Sequence, residues 1–176
     1  ARRHVLAAAH YNLGRAHEEA GELEPAAQCY RQALSLNPAQ AQAWLNLGGV
    51  ASQLGDAHGA VDALRRALAL RPDYAAAHNN LGTMLQGRGE VDAAIECFRE
   101  AIRIRPAYAE AQHNLGSALR KLGRVREAEA AFEEALRLNP AHDGARFSLD
   151  VLRGGNPPHA PAAVVRMLFD NYAPRF

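Results

Sequence analysis

The chain has 176 residues, 48% of them hydrophobic, and 20 Lys and Arg against 19 Asp and Glu give a net charge of +1. That balance creates no overall field to hold a nucleic acid or an anionic lipid surface, so no nucleic-acid partner is expected. No apolar run approaches the roughly 20 residues that span a bilayer, so no membrane partner is expected either.

In chain order, Ala1–Leu6 reads as an upstream extension of a first helix, with Arg2 and Arg3 solvating its start. The chain begins inside this apparent helix without a methionine and is expected to be an excerpt of a longer protein. From Ala7 a period of about 34 residues sets in. Asn-Leu-Gly recurs at Asn12–Gly14, Asn46–Gly48, Asn80–Gly82 and Asn114–Gly116. Pro38, Pro72, Pro106 and Pro140 keep the same register, as do the turn glycines Gly21, Gly55, Gly89 and Gly123 and the alanines Ala26, Ala60, Ala94 and Ala128.

Each period (7–40, 41–74, 75–108 and 109–142) reads as two helices. In the third, Ala77, Leu81, Gly82 and Leu85 recur at helical spacing, and Gly89 ends that helix because glycine accepts the left-handed conformation a helix C-terminus needs. The second helix carries Val91, Ala94, Ile95, Phe98, Ala101 and Ile102 on one stripe and stops before Pro106. The pattern predicts helices near Ala7–Ala20, Glu24–Leu36, Ala41–Leu54, Ala57–Leu70, Ala75–Arg88, Val91–Ile104, Ala109–Leu122 and Val125–Leu138. It starts a fifth time at Ala145 and Leu149, but Asp150 stands where the glycine belongs, so a capping helix is expected over 143–153, entered from Pro140. Residues 154–161, GGNPPHAP, read as a linker. In 162–176, Val165, Leu168, Phe169 and Tyr172 predict a short apolar helix near Ala162–Tyr172 that docks on another chain, a route to self-association, the alternative being its own capping helix.

These residues resemble tetratricopeptide repeats, whose signature is a large residue, Leu-Gly, Ala, an aromatic, Ala and Pro at set offsets. The second period reads Trp44, Leu47, Gly48, Ala60, Leu64, Ala67, Pro72; the fourth reads Gln112, Leu115, Gly116, Ala128, Phe132, Ala135, Pro140. His10 and His78 replace the leading large residue, and Leu64 replaces the aromatic. The resemblance implies an all-α fold: a right-handed α-α superhelix (solenoid) of four helix pairs, a capping helix and a short C-terminal helix. A second resemblance lies in Val165–Phe176, VRMLFDNYAPRF, which looks like the entry segment of S-adenosylmethionine-dependent methyltransferase domains fused behind such repeats. The glycine-rich loop such a domain would need is not in the sequence.

The first helices of the pairs are expected to line a concave groove. Its candidate residues are Tyr11, Asn12 and Arg15 in the first repeat, Asn46 in the second, Asn79, Asn80 and Thr83 in the third, and His113, Asn114, Ser117, Arg120 and Lys121 in the fourth. A carboxamide offers both a donor and an acceptor, so Asn12, Asn46, Asn80 and Asn114 in one register could pair with an extended peptide backbone without reading its side chains. This resembles the asparagine ladder of the repeats that precede O-linked N-acetylglucosamine transferases. The alternative is that the asparagines brace neighbouring helices.

Too few Lys and Arg line this face for a carboxylate clamp. No Cys or carboxylate completes a histidine set at ligand spacing, so no metal or other cofactor is expected. Cys29 and Cys97 lie two repeats apart, beyond disulfide reach, which suits free thiols in a reducing, cytoplasmic setting. No nucleophile triad or phosphate loop stands out. The expected function is a non-catalytic scaffold binding a peptide or partner protein, the recognition arm of a larger protein. The competing readings are a fragment of an enzyme (methyltransferase, or less so glycosyltransferase) and an oligomerisation module.

Overall fold

The structure is a computed structural model that describes residues Arg2–Gly154. The expected helix and docking contact in 162–176, and all but the first residue of the linker, lie outside the described residues. Among the described residues there are nine helices and no strand: α1 (Arg2–Glu19), α2 (Leu23–Leu36), α3 (Ala41–Gln53), α4 (Ala57–Leu70), α5 (Ala75–Gly87), α6 (Val91–Ile104), α7 (Ala109–Lys121), α8 (Val125–Leu138) and α9 (Asp143–Leu152). They fall into two compact units, one holding α1–α6 and ending at Ile104, the other starting at Arg105 and holding α7–α9.

Chain chemistry ends the helices where the periodicity said it would. After α5, Gly89 adopts φ +83°. Glu90 N–H then reaches Leu85 O (2.9 Å) and Gly89 N–H reaches Gln86 O (3.2 Å), the paired bonds that satisfy the last carbonyls of a helix. Gly21, Gly55 and Gly123 close α1, α3 and α7 in the same way.

The fifth start departs from expectation. It was to enter the helix at Pro140, but Pro140 and Ala141 form a turn, and Asn139 Oδ1 accepts from Ala141 N–H (3.1 Å). His142 caps α9, its Nδ1 accepting from Ala145 N–H (3.1 Å), so the helix begins at Asp143. Its far end is tied to α8 by Arg153, which pairs with Glu129 (2.6 Å) and Glu133.

In the first unit the helices pair as α1 with α2, α3 with α4 and α5 with α6, and each pair leans on the next through α2–α3 and α4–α5; α3 also touches α5. The pairing rests on one close approach per repeat. A Cβ added at Gly14 would stand 2.8 Å from the Tyr30 ring; at Gly48, 2.8 Å from Leu64 Cγ; at Gly82, 2.6 Å from the Phe98 ring. The second unit repeats it, Gly116 lying against Phe132 at 2.7 Å. Tyr30, Leu64, Phe98 and Phe132 are buried, as are Ala26, Ala60, Ala94 and Ala128. Between the first two pairs the seam is filled by Ala26, Ala27, Tyr30 and Leu34 against Ala43, Leu47 and Val50. Leu47 and Leu81 are 7% and 8% exposed in this register, whereas Leu13, on the outer side of α1 where no described helix packs, is 48% exposed.

Charges occupy the outer faces of the second helices as i,i+3 pairs, Arg99–Glu96 and Arg103–Glu100 on α6 and Arg137–Glu134 on α8. Exposed pairs of this kind contribute about 0–1 kcal/mol each, so apolar packing sets the stability.

One glycine of α3 and one of α5 test this packing. Gly82→Ala should destabilise by about 1–3 kcal/mol, because the Phe98 ring it meets is fully enclosed and cannot yield. Gly49→Ala meets nothing within 4 Å and should stabilise α3 by about 0.5–1 kcal/mol. Chemical denaturation of the two variants beside the parent checks both signs. In the same assay Leu81→Ala should cost about 2–5 kcal/mol through lost burial and the cavity left behind.

Candidate functional site

Residues of the first helices that face away from α2, α4 and α6 come together in the first unit around two hollows. One is lined by Tyr11, Arg15, Glu18, Glu19, Gln42 and Asn46. The other is a pocket of about 170 Å³ lined by Gly48, Gly49, Ser52, Leu64, Asn80, Thr83 and Met84.

In the first hollow the polar groups satisfy one another. Tyr30 passes over Gly14 and its hydroxyl emerges between α1 and α3, where it donates to Glu18 Oε2 (2.5 Å) and accepts from Asn46 Nδ2 (3.2 Å). Burial, and then the bond to Glu18, hold the Tyr30 phenol well above its usual range. Asn46 also reaches the Tyr11 hydroxyl (3.5 Å), and its Oδ1 accepts from Gln42 Nε2 (3.1 Å). Gln42 in turn accepts from Tyr74. Every polar atom of the Asn46 carboxamide is therefore engaged within the protein. Arg15 pairs with Glu19 (3.1 Å) in an exposed i,i+4 contact.

The second hollow is different. Leu64 stands where Tyr30 stood and has no hydroxyl to offer. Asn80, the counterpart of Asn46, is half-buried, and its carboxamide makes no hydrogen bond among the described residues. Thr83 is exposed and its Oγ1 donates back to Asn79 O (3.1 Å). Asn79 itself is 5% exposed, so it belongs to the packed interior and does not line the face. Its register explains this: the equivalent Leu45 is buried too. Asn12 is exposed.

In the second unit Asn114 and Ser117 are half-buried, and Arg120 and Lys121 are exposed in the last turn of α7. His113 turns inward. Its ring lies 5.7 Å from that of Phe132 and 4.8 Å from that of His142, and its Nε2 is 3.4 Å from Ser148 Oγ. Burial, and then the neighbouring His142, push its pKa down to about 4, so it is a neutral imidazole at pH 7. His142 Nε2 contacts Glu110 Oε2 at 3.2 Å. The sequence reading did not assemble Glu110, His113 and His142: Glu110 and His113 stand three positions apart, but His142 is 32 positions from Glu110. It also missed Tyr30, although Glu18 and Gln42 were expected on this face. The only signal for it was that Tyr30, alone among Tyr30, Leu64, Phe98 and Phe132, carries a hydroxyl.

Cys29 and Cys97 are both free thiols, and burial raises the pKa of the latter. No helix among the described residues is long and apolar enough to cross a membrane.

Comparison with known proteins agrees with this geometry. Two tetratricopeptide repeat profiles match residues 7–40 and 73–141, and a TPR repeat profile matches residues 50–87. No curated protein matches the chain. Among solved structures, PilF of Pseudomonas aeruginosa is similar at a TM-score of 0.78 and 24% identity, over 98% of this chain and 78% of that one. MamA from Desulfovibrio magneticus RS-1 gives 0.77 and 21%, over 84% of each chain. YrrB, described as a TPR protein with an unusual peptide-binding site, gives 0.69 and 23%, over 94% of this chain and 86% of that one. At these identities the likeness shows the fold, an all-α helical repeat. With four glycine-centred helix pairs in register and profiles that between them leave only 41–49 unmatched from 7 to 141, the chain belongs to the tetratricopeptide repeat family, whose fold is a general protein-interaction scaffold.

Proposed function

We propose that the chain is a non-catalytic scaffold whose first-helix face binds an extended stretch of a peptide or partner protein, without a cofactor. The observation that carries this is Asn80: an uncommitted carboxamide at the wall of a pocket floored by Leu64 and Met84. It can accept from one backbone N–H and donate to one carbonyl. At about 170 Å³ the pocket is smaller than the roughly 300–1,000 Å³ that encloses a drug-sized molecule, and suits one side chain of an extended segment. The peptide-binding site described for the structurally similar YrrB supports the same reading. Asn46 has a bracing role instead, so the ladder contains both kinds of asparagine. Free Cys29 and Cys97 suit a reducing, cytoplasmic setting.

Two finer readings belong to this proposal. The resemblance of Val165–Phe176 to a methyltransferase entry segment makes the scaffold the recognition arm of a larger enzyme. A glycine-rich loop shortly after these residues in the parent reading frame would support that, and its absence would remove it. The apolar 162–176 segment makes self-association the second reading: deleting it should lower the mass measured by light scattering, and an unchanged mass would remove the contact.

Peptides selected from a random phage-displayed library and measured by fluorescence anisotropy test the groove. Asn80→Ala should weaken them several-fold, in line with about 0.5–1.5 kcal/mol for one hydrogen bond, with an unmoved melting temperature. Gly49→Trp should block them outright, since its side chain enters open space on this face. Asn46→Ala should instead lower stability by about 1 kcal/mol, because Tyr30 and Gln42 lose their shared partner. Peptides that bind the Gly49→Trp chain as tightly as the parent would overturn the proposal.

A further inference from the structure

In the second unit one ligand atom each of Glu110, His113 and His142 lies within 4.8 Å of the other two. Glu110 and His113 stand one turn apart in the first half of α7, a spacing that puts a carboxylate and an imidazole on one face of a helix. His142 reaches them from the turn before α9. The three are held by the fold: His113 lies against Phe132, Ser148 contacts its Nε2, and the turn seats His142 over α7. His113 Nδ1 is buried and has no hydrogen-bond partner. A buried polar nitrogen left so carries a cost that a bound ion would relieve. The mouth is open, because the Glu110 side chain is 56% exposed while that of His142 is 12% exposed.

We propose that Glu110, His113 and His142 form a binding site for a divalent transition-metal ion of zinc's preferences, with a fourth position open to water. Two imidazoles and one carboxylate suit such an ion better than magnesium or calcium, which take oxygen ligands. Around a tetrahedral zinc with bonds of about 2.0–2.1 Å the ligand atoms stand about 3.3 Å apart. Glu110 and His142 already have that separation at 3.2 Å, so closing the site asks only modest side-chain rotation of His113 and Glu110. Metal binding moves one proton within the His142 ring and releases none. His142 Nδ1 accepts from Ala145 N–H, so its Nε2 carries hydrogen and donates to Glu110. On metal binding at Nε2 the ring proton moves to Nδ1, and His142 no longer caps α9. The site thus couples metal loading to the start of that helix.

The test is calorimetric titration of the whole chain, stripped with chelator, with zinc chloride at neutral pH. One equivalent should bind, and Glu110→Gln, His113→Gln and His142→Asn should each weaken it at least about tenfold. The last is the sharpest variant, because asparagine is itself a good helix cap and removes the ligand while keeping α9 closed. Glu110→Gln, at an exposed side chain, keeps the test valid if either histidine variant melts early. Control substitutions at the exposed His4 and His58 should change nothing. Cobalt(II) should give the visible absorption of a tetrahedral complex, lost in the same three variants. No binding, or binding undiminished by Glu110→Gln and His142→Asn (an adventitious ion only), would overturn the proposal.

Discussion

Each repeat depends on the approach of a large side chain on the second helix to a glycine on the first. Where Phe98 crosses Gly82 there is no room for one more carbon, and the same holds for Tyr30 over Gly14 and Phe132 over Gly116. Glycine in a helix interior costs about 0.5–1 kcal/mol relative to alanine, and four in-register glycines would be hard to account for by helix propensity. Close approach offsets that cost, since a ring packed against bare backbone gains dispersion contacts and burial that a larger residue at the glycine would forbid. The alanines at 26, 60, 94 and 128 do the same from the opposite helix, all of them fully buried.

The same contact decides what the exposed face can do. In the first unit Tyr30 and Leu64, each over its glycine, run through the pair and end near the next first helix. When it is tyrosine, its hydroxyl comes out beside Asn46 and the asparagine is consumed in bracing. When it is Leu64, the chain stops short, a pocket opens beside Gly48 and Gly49, and Asn80 keeps its donors and acceptor. Within the first unit one packing position thus distinguishes Asn46, which is hydrogen-bonded on all sides, from Asn80, which makes no hydrogen bond among the described residues. The sorting needs no change in backbone register, because the fold tolerates tyrosine and leucine at that position.

This also marks how far the sequence could be read. Helix existence and most helix ends were legible because glycines at positive φ and prolines act locally, within a few residues of the end they set. The start of α9 was not, because it hangs on a histidine nitrogen serving as a cap, a role that Ser, Thr, Asp or Asn usually fills. Nor was the state of each asparagine legible, since Asn46 is answered by a residue 16 positions earlier whose only signal is one oxygen atom. Asn79 was misplaced on the face because adjacent helix positions differ by 100° and the wall is narrow. Its buried counterpart Leu45 was the available clue.

The histidines show why residue type alone could not settle function here. Trp44, His78 and Arg146 share one register, and each donates to the carbonyl of the proline that ends the preceding helix, Pro38, Pro72 and Pro140. A carbonyl can only accept, so the facing nitrogen of His78 must carry its proton and has no lone pair for a metal. That register tolerates indole, imidazole and guanidinium because all three put an N–H at the same reach. His113 is placed otherwise. It occupies an inward register where the other repeats put Tyr11, Leu45 and Asn79, and it meets another ring and a carboxylate in place of a carbonyl. The chemistry of a histidine in this chain follows from the kind of atom opposite it, and the repeat register determines which atom that is.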